Sequence, residues 1–467
     1  MRMKNKKYIL IRRTRARFQK SIHCNRQKRR EIRGYEKFMS DVRRSHPKQK
    51  VKERNYKYHH QKSKLPKKPP LSENITYFLK TKNSFANETL INEDNVFYIP
   101  EIFSLSENYN ESSVFLRKLF NALYKQSFSE IILDYEKCNQ IDVDASICMD
   151  IILSDFIKYY EKCSKERHTI KVDQITPRNF DRYEIKKVLF SIGAFRNIKG
   201  FKIEFENIIE YPLCIGDKKI KDSPKIREVH ITEMVDYIIA CLARMNRNLT
   251  PEAEDNLYKV IGEVIVNAEE HSNTSRRYSV GYFESTQKEE KHIGIFNLAI
   301  LNVGNTIYET FKSPDCKNYE VIKNMESLSE KYTKRNLFKK SKFEEETLWT
   351  LYALQEGVTS KQDWKRGNGS IRFIESFFRL KGNKDCDGVS LMTITSGNTR
   401  IIFDGFYDTI EKIRGKQGKT YKLMTFNTSG NIEDLPDEKY VNFAENYFPG
   451  TLITAKICID HNNTENI

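Results

Sequence analysis

Glu263, Asn267 and His271 recur four residues apart within the stretch Leu257 to His271. In an α-helix that spacing sets all three on one face. An amide oxygen such as that of Asn267 is a hard ligand suited to Mg²⁺, which keeps several waters and takes further ligands from phosphates. A carboxylate one turn earlier can orient or deprotonate a water for attack on a terminal phosphate. The residues between them, Leu257, Ile261, Val264, Ile265 and Ala268, form the apolar face that would pack on a core. Polar residues at this spacing are equally the solvated face of an ordinary helix, so the pattern alone leaves both readings open.

Three further stretches follow in order: Asn302-Val303-Gly304-Asn305-Thr306, Arg366-Gly367-Asn368-Gly369-Ser370 and Gly450-Thr451. Together with Glu263-x3-Asn267-Ala268-x2-His271 they resemble the GHKL ATP-binding fold over roughly residues 225–462. That fold is shared by histidine kinases, gyrase-type topoisomerases, mismatch-repair ATPases and anti-sigma-factor kinases. The resemblance implies ATP and Mg²⁺ as ligands, with Glu263 as general base and Asn267 as the metal ligand. It puts His271 beside the phosphates, although a histidine closing a helix C-terminus fits that position too. In the family the second stretch reads Asp-x-Gly-x-Gly, and its Asp accepts a hydrogen bond from the adenine amine. Here Asn302 takes the Asp position, Gly304 follows, and Asn305 or Thr306 falls near the second Gly. An Asn oxygen can still accept, but the contact is neutral and less discriminating. Gly367 and Gly369, flanked by Arg366 and Asn368, would let backbone N–H groups approach phosphate at a helix N-terminus. A plain helix-starting turn is the other reading there. Thr451 matches the threonine near the adenine pocket and is equally an ordinary strand residue.

The elements that must position these groups are visible in the pattern. A helix from His230 to about Arg247 carries Met234, Ile238, Cys241, Leu242 and Met245 as its buried stripe. Thr250-Pro251 opens the next helix, with a hydroxyl cap, Pro at the first position and Glu252 and Glu254 in the first turn. Tyr278 to Phe283 and His292 to Leu301 read as antiparallel strands joined by the charged turn 287–290. Val389 to Thr395, Arg400 to Phe403 and Leu452 to Ile459 complete a sheet, and Glu344 to Gln355 and Ile371 to Leu380 read as helices. Residues 308–365 resemble the variable ATP lid of the family. Its cations Lys331, Lys334, Arg335, Lys339 and Lys340 can approach phosphates or simply face solvent.

Ahead of this, residues 71–215 read as a separate α/β domain. Strands are expected at 95–100, 130–135 and 169–172, and helices at 113–123 and 145–160. Ile131-Ile132-Leu133-Asp134, then Ile141-Asp142-Val143-Asp144-Ala145, resembles a STAS domain, the module of anti-sigma-factor antagonists. That family phosphorylates a serine at this turn. Asp144 stands in its place, so at most a fixed negative charge imitates the phosphoserine. An Asp that merely caps a helix in a plain scaffold is the alternative. The expected role is interaction or coupling with a protein partner, with a homodimer among the assemblies open to it.

The net charge of +17 belongs to one segment. Residues 1–70 hold 26 Lys and Arg against 4 Asp and Glu, leaving 54 basic and 59 acidic residues in 71–467. So polar a stretch cannot offset chain entropy by burial, and a disordered arm is expected. Its interleaved aromatics, Tyr8, Phe18, Tyr35, Phe38, Tyr56 and Tyr58, suit contact with nucleic acid or another polyanion. A solvated tail with no partner is the plainer reading. No stretch approaches the length needed to cross a bilayer. Nine dispersed cysteines without a Cys-x2-Cys pair suit reduced thiols, and a soluble, cytoplasmic protein is expected.

The fold expected is therefore α/β: a basic arm (1–70), a STAS-like domain (71–215) and a GHKL (Bergerat-type) α/β sandwich (225–462). The activity expected is Mg-dependent ATP binding with slow hydrolysis in a regulatory or signalling module. Two alternatives stand beside it: a protein kinase acting on a Ser or His of a partner, and a nucleic-acid-associated adaptor with a vestigial ATP site.

Overall fold

The computed structural model describes residues 70–80, 94–125, 130–162, 175–270, 272–288, 291–333, 343–360, 369–381, 388–414 and 419–460. Residues 1–69 of the basic arm, the strand expected at 169–172, and His271, Arg366, Gly367 and Asn368 lie outside the described residues.

A helix, α1 (Glu73–Lys80), precedes a small parallel α/β layer. The layer comprises β1 (Val96–Tyr98), β2 (Ile102–Phe103), α2 (Tyr109–Lys125), β3 (Ile131–Asp134), β4 (Gln140–Ile141), α3 (Val143–Lys162), β5 (Ile175–Arg178), α4 (Tyr183–Ser191) and α5 (Ala194–Asn197). β3 lies between β1 and β5, all parallel, and β2 pairs in parallel with β4. Parallel neighbours need crossover connections, which α2 and α3 supply. All of β3 is buried, as its unbroken apolar run requires.

The rest of the chain builds a larger antiparallel sheet and its helices. These are β6 (Ile208–Asp217), α6 (Ser223–Arg244), α7 (Pro251–Glu270), β7 (Arg276–Lys288), β8 (Lys291–Val303), α8 (Ile307–Lys312), α9 (Tyr319–Thr333), α10 (Glu345–Ala353), α11 (Gly369–Arg379), β9 (Leu391–Phe403), β10 (Ile410–Arg414), β11 (Lys419–Leu423) and β12 (Val441–Asp460). The strand order is β6-β7-β8-β12-β9, while β10 and β11 form a separate hairpin. β7 and β8 close on each other at Lys288 and Lys291, where the charged turn is expected. β6 includes residues ahead of position 215 yet pairs with β7, at the edge of the large sheet.

Alternation along β8 explains how the sheet is covered. Phe296, Leu298 and Ile300 join the core beneath α6, α7 and α11, whereas Ala299, Leu301 and Val303 join the core of the N-terminal α/β layer. Successive strand residues point to opposite faces, so a strand buried on both sides reads as continuously apolar. The small α/β layer thus packs on one face of the large sheet and the long helices on the other. Pro69–Ile467 forms one compact unit of mixed α/β structure.

Besides that shared core, polar contacts join the two parts near Asp144. Asp144, 1 % exposed, accepts hydrogen bonds from Leu105 N (3.1 Å), Ser106 N (2.8 Å) and Ser106 Oγ (2.7 Å). Arg400 donates to Ser106 O at 2.8 Å, and Lys456 pairs with Glu107 at 2.7 Å. Asp144 is therefore an internal fastener, and its charge is not displayed in the manner of a phosphoserine. Burial, with Asp142 beside it, pushes its carboxyl up to about 6.

The expectation of uniformly reduced thiols needs one correction. Cys138, Cys148, Cys214, Cys241 and Cys316 are free, but Cys458 in β12 is disulfide-bonded. Among the described residues no helix is long and apolar enough to cross a membrane.

Candidate functional site

α7 is built as its sequence dictates. Thr250 Oγ1 accepts from Ala253 N at 3.2 Å, and Pro251 occupies the first helical position. Leu257, Val260, Ile261, Val264 and Ile265 are buried in the core shared by α6, α11 and the sheet, which fixes the helix rotation and leaves Asn267 beside that core. Asn267 is half-buried, and its amide has no hydrogen-bond partner among the described residues.

Asn267 lines a cavity of about 130 Å³, open to solvent, between α7 and the sheet. Asn302, Asn305 and Thr451 line the same cavity, so four of the residues singled out in the sequence meet there. Ser370, the second residue of α11, lies on its wall, next to Gly369 at the start of that helix. Glu263 is half-buried one turn before Asn267 and is not among the described residues of the wall.

The cavity floor follows from strand register. Ile300 of β8, Ile453 of β12 and Ile394 of β9 lie side by side, and two residues along Asn302, Thr451 and Ser396 do the same. Residues two apart on a strand share a face. An apolar row is thus followed by a polar one, both under the helix layer. Thr451 Oγ1 and Ser396 Oγ are hydrogen-bonded at 2.9 Å, and Ser396 Oγ also accepts from Ile307 N at 2.9 Å. Asn302 is 5 % exposed, and its side-chain amide has no partner among the described residues.

Two glycines let the backbone close around this floor. Gly304 has φ +146°, and a Cβ there would come within 2.5 Å of Ser272 Oγ. Gly450 has φ +144°, and its Cβ would come within 2.0 Å of Asn302 O. The segment after α7 is fastened to the same loop: Ser272 Oγ donates to Val303 O at 2.7 Å and Asn273 Nδ2 to Asn305 Oδ1 at 2.5 Å. Gly304 N donates to Pro449 O at 3.2 Å. The Gly304–Asn305 turn therefore ties α7, β8 and β12 together at one end of the cavity.

The opposite wall contains residues that the sequence reading passed over. Ile307, Thr310 and Phe311 of α8 line it, with Thr359 and Ser360 beyond α10. α8 starts with a capping box: Glu309 N donates to Thr306 Oγ1 at 3.1 Å, and Thr306 N to Glu309 Oε2 at 2.9 Å. The Thr306-x-x-Glu309 spacing was the available signal for that helix. Glu309 also accepts from Tyr77 of α1 and Tyr447 of β12, both at 3.1 Å. Burial, with the Glu309 charge next to it, pushes each phenol up.

The stretch expected as a lid holds α8, α9 and α10, joined by a small core of Phe311, Cys316, Met325 and Trp349. Lys331 donates to Glu433 O at 3.1 Å; Lys334, Arg335, Lys339 and Lys340 lie outside the described residues. Elsewhere, Cys214, His230 and Glu233 bring possible metal-ligating atoms within 4.8 Å of one another. Arg277, fully buried, donates from Nη2 to His230 Nδ1 at 3.2 Å. Burial and that guanidinium push the His230 imidazole down, and the adjacent positive charge opposes a cation there.

No protein-family model, curated protein or solved structure matches the chain.

Proposed function

We propose that the cavity binds the Mg²⁺ complex of ATP and hydrolyses it slowly, in a GHKL-type domain whose nucleotide state is read by the STAS-like layer. One observation carries this reading: Asn267, Asn302, Asn305 and Thr451, scattered over 185 positions of the chain, line one cavity. An unpartnered amide on the wall suits Mg²⁺, so Asn267 is the residue that would hold it. When bound, the ion offsets phosphate charge.

Residues of the chain do the rest. Asn302 and Thr451 meet the edge of the base over the isoleucine row. Ser370 and the start of α11 face the phosphates, where helix N–H groups favour anions. Glu263 takes the proton from a water whose oxygen bonds to the terminal phosphorus; the bond to the bridging oxygen breaks, leaving ADP and phosphate. Glu309, held by Tyr77 and Tyr447, positions α8 on the cavity wall, so a change there reaches α1 and β12.

Calorimetry with ATP and Mg²⁺ on the full chain tests the reading. Wild type should bind; Asn267→Ala should bind at least about tenfold more weakly at an unchanged melting temperature. Glu263→Ala should bind and release no phosphate. Affinity unchanged by Asn267→Ala would overturn the assignment. With γ-labelled ATP, free phosphate supports hydrolysis, and label retained on protein supports a kinase instead.

A further inference from the structure

Resting on the reading that a nucleotide fills this cavity, we infer that Asn302 makes the site accept 6-amino and 6-oxo purines alike, so that GTP is a ligand comparable to ATP. The floor sets the problem. The row Ile300, Ile453 and Ile394 suits the flat face of a heteroaromatic ring, and the next row must meet that ring's edge. Within that second row the hydroxyls of Thr451 and Ser396 are bonded to each other, and Ser396 is further engaged with Ile307 N and Gly450 O. The Asn302 amide has no partner among the described residues and faces the cavity at 5 % exposure. Its donor and acceptor are therefore open to a ligand in the cavity.

An amide carries an acceptor and two donors side by side, and half a turn of its terminal torsion exchanges them. Adenine presents an N6 amine donor next to the N1 acceptor. Guanine presents an O6 acceptor next to an N1–H donor. In one orientation Oδ1 accepts from the N6 amine while Nδ2 donates to N1. In the other, Nδ2 donates to O6 while Oδ1 accepts from N1–H. Both edges are fully paired by the same side chain. A carboxylate at this position only accepts: at adenine it meets the N6 amine but opposes N1, whereas at guanine it can accept from N1–H and the 2-amino group together. Glu270 is the one charged side chain among the described residues of the wall, and it lies on α7 rather than on the floor. The floor therefore offers no fixed charge to favour either edge.

The test is competition of unlabelled ATP and GTP, each with Mg²⁺, against a fluorescent ATP analogue on the full chain, with melting curves confirming the fold of every variant. Wild type should hold ATP and GTP within about tenfold of each other. Asn302→Asp should shift the ratio toward GTP by about tenfold or more, and Asn302→Ala should weaken both while keeping their ratio. If the aspartate does not fold, the wild-type ratio and the alanine variant still decide. A wild-type preference for ATP of about a hundredfold overturns this inference and leaves the nucleotide reading standing. Binding of neither triphosphate to folded wild type overturns the nucleotide reading, and this inference with it.

Discussion

Gly450 lies so close to Asn302 that a Cβ on the glycine would come within 2.0 Å of the Asn302 carbonyl oxygen. That oxygen is backbone and cannot swing away. Gly450 also has φ +144°, which other residues rarely adopt. Gly450→Ala should therefore destabilise the fold by about 3 kcal/mol through strain and overpacking. Because β12 must move off β8 at the cavity floor, ligand affinity should fall with stability. Urea denaturation and nucleotide titration check this; an alanine variant that binds and melts like wild type would remove the close-approach argument.

How much of this could be read from the chain differs between its parts. The α7 cap at Thr250-Pro251 and the β7–β8 hairpin follow from local rules, and the structure has both; Asn267, Asn302 and Thr451 are singled out together only through the family resemblance, and they line one cavity. The far wall did not yield to the same rules. α8 has six residues, too few for a helical period, and the Lys- and Glu-rich run beyond it reads only as a lid, with one helix over Glu344 to Gln355. α1 was missed for a related reason: its value lies in long-range contacts, such as Tyr77 to Glu309, which no local window contains. Asp144 shows the opposite limit. A charged residue in a turn suggests exposure, and only the packing of residues 105–106 onto it reveals that it is internal.

The carboxylate of Glu309 receives one tyrosine hydroxyl from each end of the described fold, Tyr77 and Tyr447. Hydrogen bonds to a charged group contribute about 1.5–3 kcal/mol each, less where the group is partly wetted. Tyr77→Phe should cost about 1 kcal/mol and Tyr447→Phe, the more buried of the two, somewhat more. Groups in one network do not add, so the double variant should deviate from the sum of the singles by at least about 0.5 kcal/mol. A double-mutant cycle by denaturant unfolding measures this, and strict additivity would mean that the two hydroxyls do not share Glu309.

Asp150 in α3 is buried, and Asn197 Nδ2 donates to it at 2.8 Å. Burial pushes its carboxyl up to about 8 from the ordinary 3.8. The folded state thus binds this proton more tightly than the unfolded state does. The stability it contributes is complete below about pH 4 and is lost as pH rises through about 8. Asp150→Asn, which cannot ionise, should remove a stability loss on the order of a few kcal/mol between those limits. Asp144 and Glu346, raised by burial to about 6 and about 7, keep a smaller slope of the same sign in the variant. Melting temperatures from pH 4 to 9 decide: parallel curves for the two proteins would show that Asp150 is not the group responsible.

Glu269 is the charged residue of α7 turned inward, between Ala268 and Glu270 on the cavity wall. Its two oxygens bond Arg277 Nε at 2.7 Å and Arg227 Nη1 at 3.2 Å, and Arg277 is 0 % exposed. Lys218 Nζ closes the same corner by donating to Ser272 O at 2.7 Å. Removing the acid strands a guanidinium that has no route to water, so Glu269→Ala should cost about 3–5 kcal/mol. Replacing both members by apolar residues of similar size, Glu269→Leu with Arg277→Met, removes the stranded charge and should recover most of that loss. Chemical denaturation of the three variants separates the outcomes. A double variant no more stable than Glu269→Ala would show that the pair holds the end of α7 through geometry that leucine and methionine cannot reproduce.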